Sequence, residues 1–109
     1  MSVRLYLAQR ISAAVLLPLI LVHLATILYA MDSGLTAAEI LARTRGSLAW
    51  GLFYGLFVAA AAVHAGIGVR SVLREWAPLK GRGPDVLSLL FALLLALLGF
   101  RAVYAVVLA

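Results

Sequence analysis

Three apolar stretches, at about residues 11–31, 47–69 and 86–108, dominate this chain of 109 residues. A helix crosses a hydrocarbon core in roughly 20 residues, and each stretch reaches that length. In lipid the backbone must satisfy its own hydrogen bonds, so such stretches are expected as spanning helices. With 66% hydrophobic residues and a mean hydropathy of +1.14, little is left for a soluble domain, and an isolated soluble enzyme is excluded. The expectation is an all-α integral membrane protein with three transmembrane helices in a single domain, 1–109. The first stretch is longer than the apolar core of a secretory signal and has no convincing small-residue cleavage site before Asp32. It is expected to persist as a mature helix.

The formal charge of +5 is carried by residues that flank the apolar helices. No basic stripe forms on a folded domain, so lipid headgroups and topology account for it better than nucleic acid. Arg4 and Arg10 lie near the N-terminus, and Arg70, Arg74, Lys80 and Arg82 in the second loop. The opposite side has Arg43 and Arg45, with Arg101 inside the third span. The positive-inside rule then places the N-terminus and second loop in the cytoplasm and the C-terminus outside, in a bacterial-type inner membrane. The chain has no cysteine, which excludes disulfides and iron–sulfur ligation within it. A redox centre here would have to use histidine.

Pro18 lies inside the first span, where it removes one backbone hydrogen bond, a defect that neighbouring helices accommodate. Thr36-Ala-Ala-Glu39 has the form of a capping box and predicts a short interfacial helix in the first loop. Gly51, Gly55, Ala59, Ala62 and Gly66 recur at spacings of three and four, a small-residue stripe that allows close helix approach. Pro78, Gly81, Gly83 and Pro84 break the second helix and restart the chain as a third, with Asp85 in its first turn. Arg101, about 24 Å along that helix from Asp85, is expected to snorkel to the outer interface near Tyr104.

Two histidines lie at membrane depth, where an unsatisfied polar group costs several kcal/mol. His64 has Ala60 one turn before it and Gly68 one turn after, small residues on the face where a flat macrocycle needs clearance. It could ligate haem iron, with Arg70 and Arg74 pairing with the propionates. The alternative, which spacing alone favours, is a hydrogen bond between helices while the arginines bind lipid phosphates. His23 is 13 residues from Arg10, whereas His64 is six from Arg70. With both arginines at one surface, the histidines would differ in depth by roughly 10 Å. His23 then serves either a second, deeper haem or an interhelical hydrogen bond.

Arg10-Ile11-Ser12 at the start of the first span, His64-Ala-Gly-Ile-Gly-Val-Arg70 ending the second, and the Glu75-Trp76 pair stand in a definite order. In these features nearly the whole chain resembles the membrane-anchor, cytochrome b-type subunits of succinate dehydrogenase and fumarate reductase. The resemblance implies a bundle formed with a second anchor subunit, which would supply the other axial ligand of a haem b held by His64. It implies an iron–sulfur subunit and a flavoprotein subunit docked on the cytoplasmic face. Arg10, Ser12, Glu75 and Trp76 would lie near a ubiquinone or menaquinone pocket, and His23 would ligate a distal haem in a two-haem member. Trp76 stands where the family commonly has Tyr or Phe, and it offers an N–H but no phenolic proton. Gln9 and Ala13 replace a frequent histidine and glycine. The rival classes are a transporter subunit with His23, His64 and Arg101 lining a polar pathway, and a haem-free structural or assembly subunit.

Overall fold

A computed structural model describes residues 2–109. Four helices follow in order: α1 (Val3–Ser33), α2 (Ala37–Thr44), α3 (Leu48–Trp76) and α4 (Gly83–Val107). No strand occurs among the described residues, and α1, α3 and α4 are long and apolar enough to cross a membrane. The three expected spans are therefore present, but two are longer than hydropathy alone delimits. The α1 helix begins near the N-terminus because Ser2 caps it, its hydroxyl accepting from Leu5 N at 3.2 Å. The α3 helix runs past the apolar stretch through Arg70–Trp76, since charged side chains are compatible with helix beyond the hydrocarbon, and Pro78 follows its C-cap. Pro18 lies inside α1, which continues through it.

The expected loop helix is α2. Thr36 Oγ1 accepts from Glu39 N at 3.2 Å and donates to Glu39 Oε1 at 2.7 Å, a variant of the capping box in which the carboxylate bonds the threonine hydroxyl. The end of α2 ties down the end of α4. Thr44 Oγ1 donates to Val106 O at 2.7 Å and Gly46 N to Val107 O at 2.7 Å, so two orphan carbonyls of the α4 terminus find donors. Gly46 makes this turn with φ +74°, a conformation that favours glycine.

The middle helix is α3, with α1 packed on one side and α4 on another, while α1 and α4 have little contact with each other. Both packings are antiparallel. On the α1 side, Ser12 meets His64 and His23 meets Tyr54. On the α4 side, position 66 lies against Ala92, Val58 against position 99, and position 51 against Val107. A Cβ at Gly66 would lie 2.8 Å from the Ala92 Cβ, and one at Gly99 would lie 2.5 Å from Val58 Cγ1. The small-residue stripe is thus used at Gly66 and more loosely at Gly51. A Cβ at Gly55, the second member of the GxxxG pair, would meet nothing within 4 Å, and Ala59 is exposed.

Most large apolar side chains of α1 and α4 are exposed, including Leu21 at 58% and Leu97 at 67%. That surface suits lipid or other membrane helices. Arg101 is exposed on α4. Gly99→Ala is expected to lower the stability of the detergent-solubilised protein by about 1–3 kcal/mol, as overpacking does. Gly55→Ala should leave it near wild type. Thermal unfolding followed by the fluorescence of Trp50 and Trp76 measures both.

Candidate functional site

His64 projects from α3 beside α1, where its Nδ1 lies 3.2 Å from Ser12 Oγ. Ser12 is buried, 6% exposed, and its hydroxyl also bonds the main-chain carbonyl of Gln9 at 2.9 Å. A cleft of about 450 Å³ opens here, lined by Gln9, His64, Ala65, Gly68 and, from α4, Phe91 among others. Gln9 Oε1 is buried there without a hydrogen-bond partner. A Cβ at Gly68 would meet only Gln9 Nε2, at an ordinary 3.5 Å. The chain's own packing therefore does not require glycine at 68.

His23 occupies a second place on the same two helices. Its Nδ1 is 3.3 Å from Tyr54 Oη, and its ring meets Tyr54 and Phe57 edge-on at centroid distances of 5.6 and 5.5 Å. Trp50 stacks on Tyr54 at 5.6 Å and 22°. Cavities of about 690 and 360 Å³ adjoin this cluster, the larger bordered by Thr26, Arg43 and Trp50 and the smaller by Phe57 and Gly99. Tyr54 was not singled out from the sequence. Its signal was the aromatic run Trp50, Phe53, Tyr54, Phe57, which has the spacing of one helix face.

The histidines are ten residues apart in α3 register, Tyr54 to His64, or about 15 Å by helical rise. The 10 Å expected from sequence is too small because Arg10 and Arg70 are not level. Ser12 opposite His64 puts Arg10 across from residues 66–67, about 5 Å deeper than Arg70.

The same register separates residues that the motifs would group. Arg10 and Ser12 are two residues apart on a helix, about 200° around its axis. Ser12 faces α3, while Arg10 is exposed, its guanidinium 5.8 Å from the Tyr6 ring centroid. Glu75 and Trp76, on the last turn of α3 and exposed, lie about 16–18 Å along the helix from His64. Within this chain, Arg10, Ser12 and the Glu75-Trp76 pair do not converge on one pocket.

Arg70 and Arg74 lie one turn apart, and both engage Asp85 Oδ1: Arg70 through Nε at 2.7 Å and Arg74 through Nη2 at 2.8 Å. The six-residue connection 77–82, turning at Gly81 with φ +63°, brings Asp85 back to the end of α3. There its charge also suits the first turn of α4. Arg70 sits about 120° around the helix from His64. The two guanidiniums against one carboxylate leave a net positive charge and unused N–H donors.

No cluster of three metal-ligating side chains exists among the described residues. Imidazole is a usual ligand of haem iron, and His64 stands beside a cleft with clearance at Gly68. The residues present therefore fit half of a haem site. No curated protein and no solved structure matches the chain. A family model described as succinate dehydrogenase/fumarate reductase transmembrane subunit matches residues 1–103. With three membrane-length helices and a match covering almost its full length, the chain belongs to the succinate dehydrogenase/fumarate reductase transmembrane subunit family.

Proposed function

We propose that this chain is the hydrophobic anchor of a succinate dehydrogenase-type complex, holding haem b through His64 and contributing to a quinone site. The observation that carries the reading is the His64 cleft in a chain of this family: an imidazole with small neighbours and an orphan acceptor, Gln9 Oε1, at membrane depth. A second anchor subunit would supply the opposing ligand. An iron–sulfur subunit and a flavoprotein subunit would dock on the cytoplasmic side, and lipids would cover the rest. Excess Lys and Arg at the N-terminus and in the α3–α4 connection support a cytoplasmic assignment for that side, with the C-terminus outside, in a bacterial-type inner membrane.

Haem b held by His64 would supply a one-electron redox centre. The chain's own residues do the remaining work. His64 binds, and the free N–H donors of Arg70 and Arg74 offer charge-assisted bonds to propionates while Asp85 holds both side chains in place. Reducing a quinone places negative charge on its carbonyl oxygens, which a guanidinium stabilises. Arg10, exposed and pointing away from α3, would do this at a pocket completed by partner subunits. Glu75 and Trp76 would border that pocket at its cytoplasmic edge, whereas Ser12, on the same turn of α1 as Arg10, faces α3 and would reach it only through that helix.

A second haem at His23 extends the same reading, supported by the cavity of about 690 Å³ beside it. The competing role for His23 is the hydrogen bond to Tyr54. A pyridine haemochrome spectrum of the purified complex, quantified per flavin, separates these: one b haem supports His64 alone, and two bring in His23. None would leave a haem-free structural subunit. His64→Ala should remove or shift a b-type band, and an unchanged spectrum counts against the assignment. Arg10→Ala should slow quinone reduction by about tenfold or more, because a charge-assisted hydrogen bond contributes ~1.5–3 kcal/mol. Reduction of soluble artificial acceptors should be spared.

A further inference from the structure

We propose that Ser12 is a positioning residue for His64: its hydroxyl selects the imidazole tautomer that carries its proton on Nδ1 and leaves the Nε2 lone pair free to act as ligand. A serine hydroxyl has one hydrogen and accepts with its lone pairs. Ser12 Oγ lies 2.9 Å from Gln9 O, which can only accept, and 3.2 Å from His64 Nδ1. Both bonds exist together only when the serine proton goes to Gln9 O and His64 donates from Nδ1. The opposite tautomer would require Ser12 to turn its proton away from Gln9 O.

The environment enforces the choice. Ser12 is buried at 6% exposure, and the carbonyl of Gln9 is held in the α1 helix. The bond ties α1 to α3 across 52 residues of sequence. It therefore fixes the direction of the imidazole plane as well as its proton. A ligating histidine is oriented and made more basic by the acceptor on its other nitrogen. The consequence for ligand basicity rests on the haem reading above; the tautomer itself does not.

Two experiments separate the two claims. In the full chain in detergent micelles, free of haem and labelled with 15N-histidine, long-range 1H–15N correlations report which ring nitrogen of His64 is protonated. Nδ1–H is expected in the wild type and in Ser12→Thr, and a shift toward Nε2–H or a tautomer mixture in Ser12→Ala. An Nε2–H wild type, or a Ser12→Ala spectrum identical to it, overturns the proposal whatever binds at His64. In the assembled complex, Ser12→Ala should keep the b haem, raise its midpoint potential and shift the low-spin electron paramagnetic resonance g values, and Ser12→Thr should restore both. A Ser12→Ala complex with wild-type potential and g values overturns the positioning role. If Ser12→Ala does not assemble, Ser12→Cys is measured instead; its weak acceptor should give an intermediate shift, and wild-type values there overturn the role equally. A His64→Ala complex that retains its full b band would sink the haem reading alone and leave the tautomer result standing.

Discussion

The packing of α3 against both of its neighbours is the constraint on which everything else depends. Helices in lipid gain little from burying apolar surface against one another, so close van der Waals contact must hold them. That contact is made on the α4 side at Gly66 and Gly99, where even one methyl group would collide with Ala92 or Val58. On the α1 side the contacts include polar ones, Ser12 with His64 and His23 with Tyr54. Since α1 and α4 have little contact, α3 transmits position between them. Each functional candidate inherits its depth from the register of this one helix.

Polar groups follow a common economy in such a setting. An unpartnered donor or acceptor in hydrocarbon is costly, so each is satisfied within the chain or offered to something outside it. Ser12, Thr26 and Thr44 return their hydroxyls to carbonyls, and Asp85 is held by two arginines. Gln9 Oε1 is the buried side-chain acceptor without a partner among the described residues, and it borders the same cleft as His64. Both histidines have one ring nitrogen answered, by Ser12 and by Tyr54; the orphan amide oxygen of Gln9 is what distinguishes the His64 cleft from the His23 cluster.

Several features are legible in the sequence. The spans, the capped loop helix and the break around Pro78 follow from local rules, and helix propensity and hydropathy operate within a few turns. The separation of Arg10 from Ser12 was also available, because two residues in a helix differ by about 200° whatever surrounds them. The partners of Arg70 and Arg74 were less accessible. Asp85 was readable as a first-turn residue of α4, but its return to α3 depends on the path of the connection.

The sequence by itself determined that this chain crosses a membrane with three helices and carries two histidines at depth, because length and hydropathy act locally and lipid permits few alternatives. Only the tertiary structure decided that Ser12 meets His64 and Tyr54 meets His23, that Gly99 of α4 rather than Gly55 of α3 makes the second close approach between those two helices, and that the histidines differ in depth by about 15 Å. These depend on the rotation and register of one helix against another. Such offsets arise from the fit of many side chains at once and are written in no single motif.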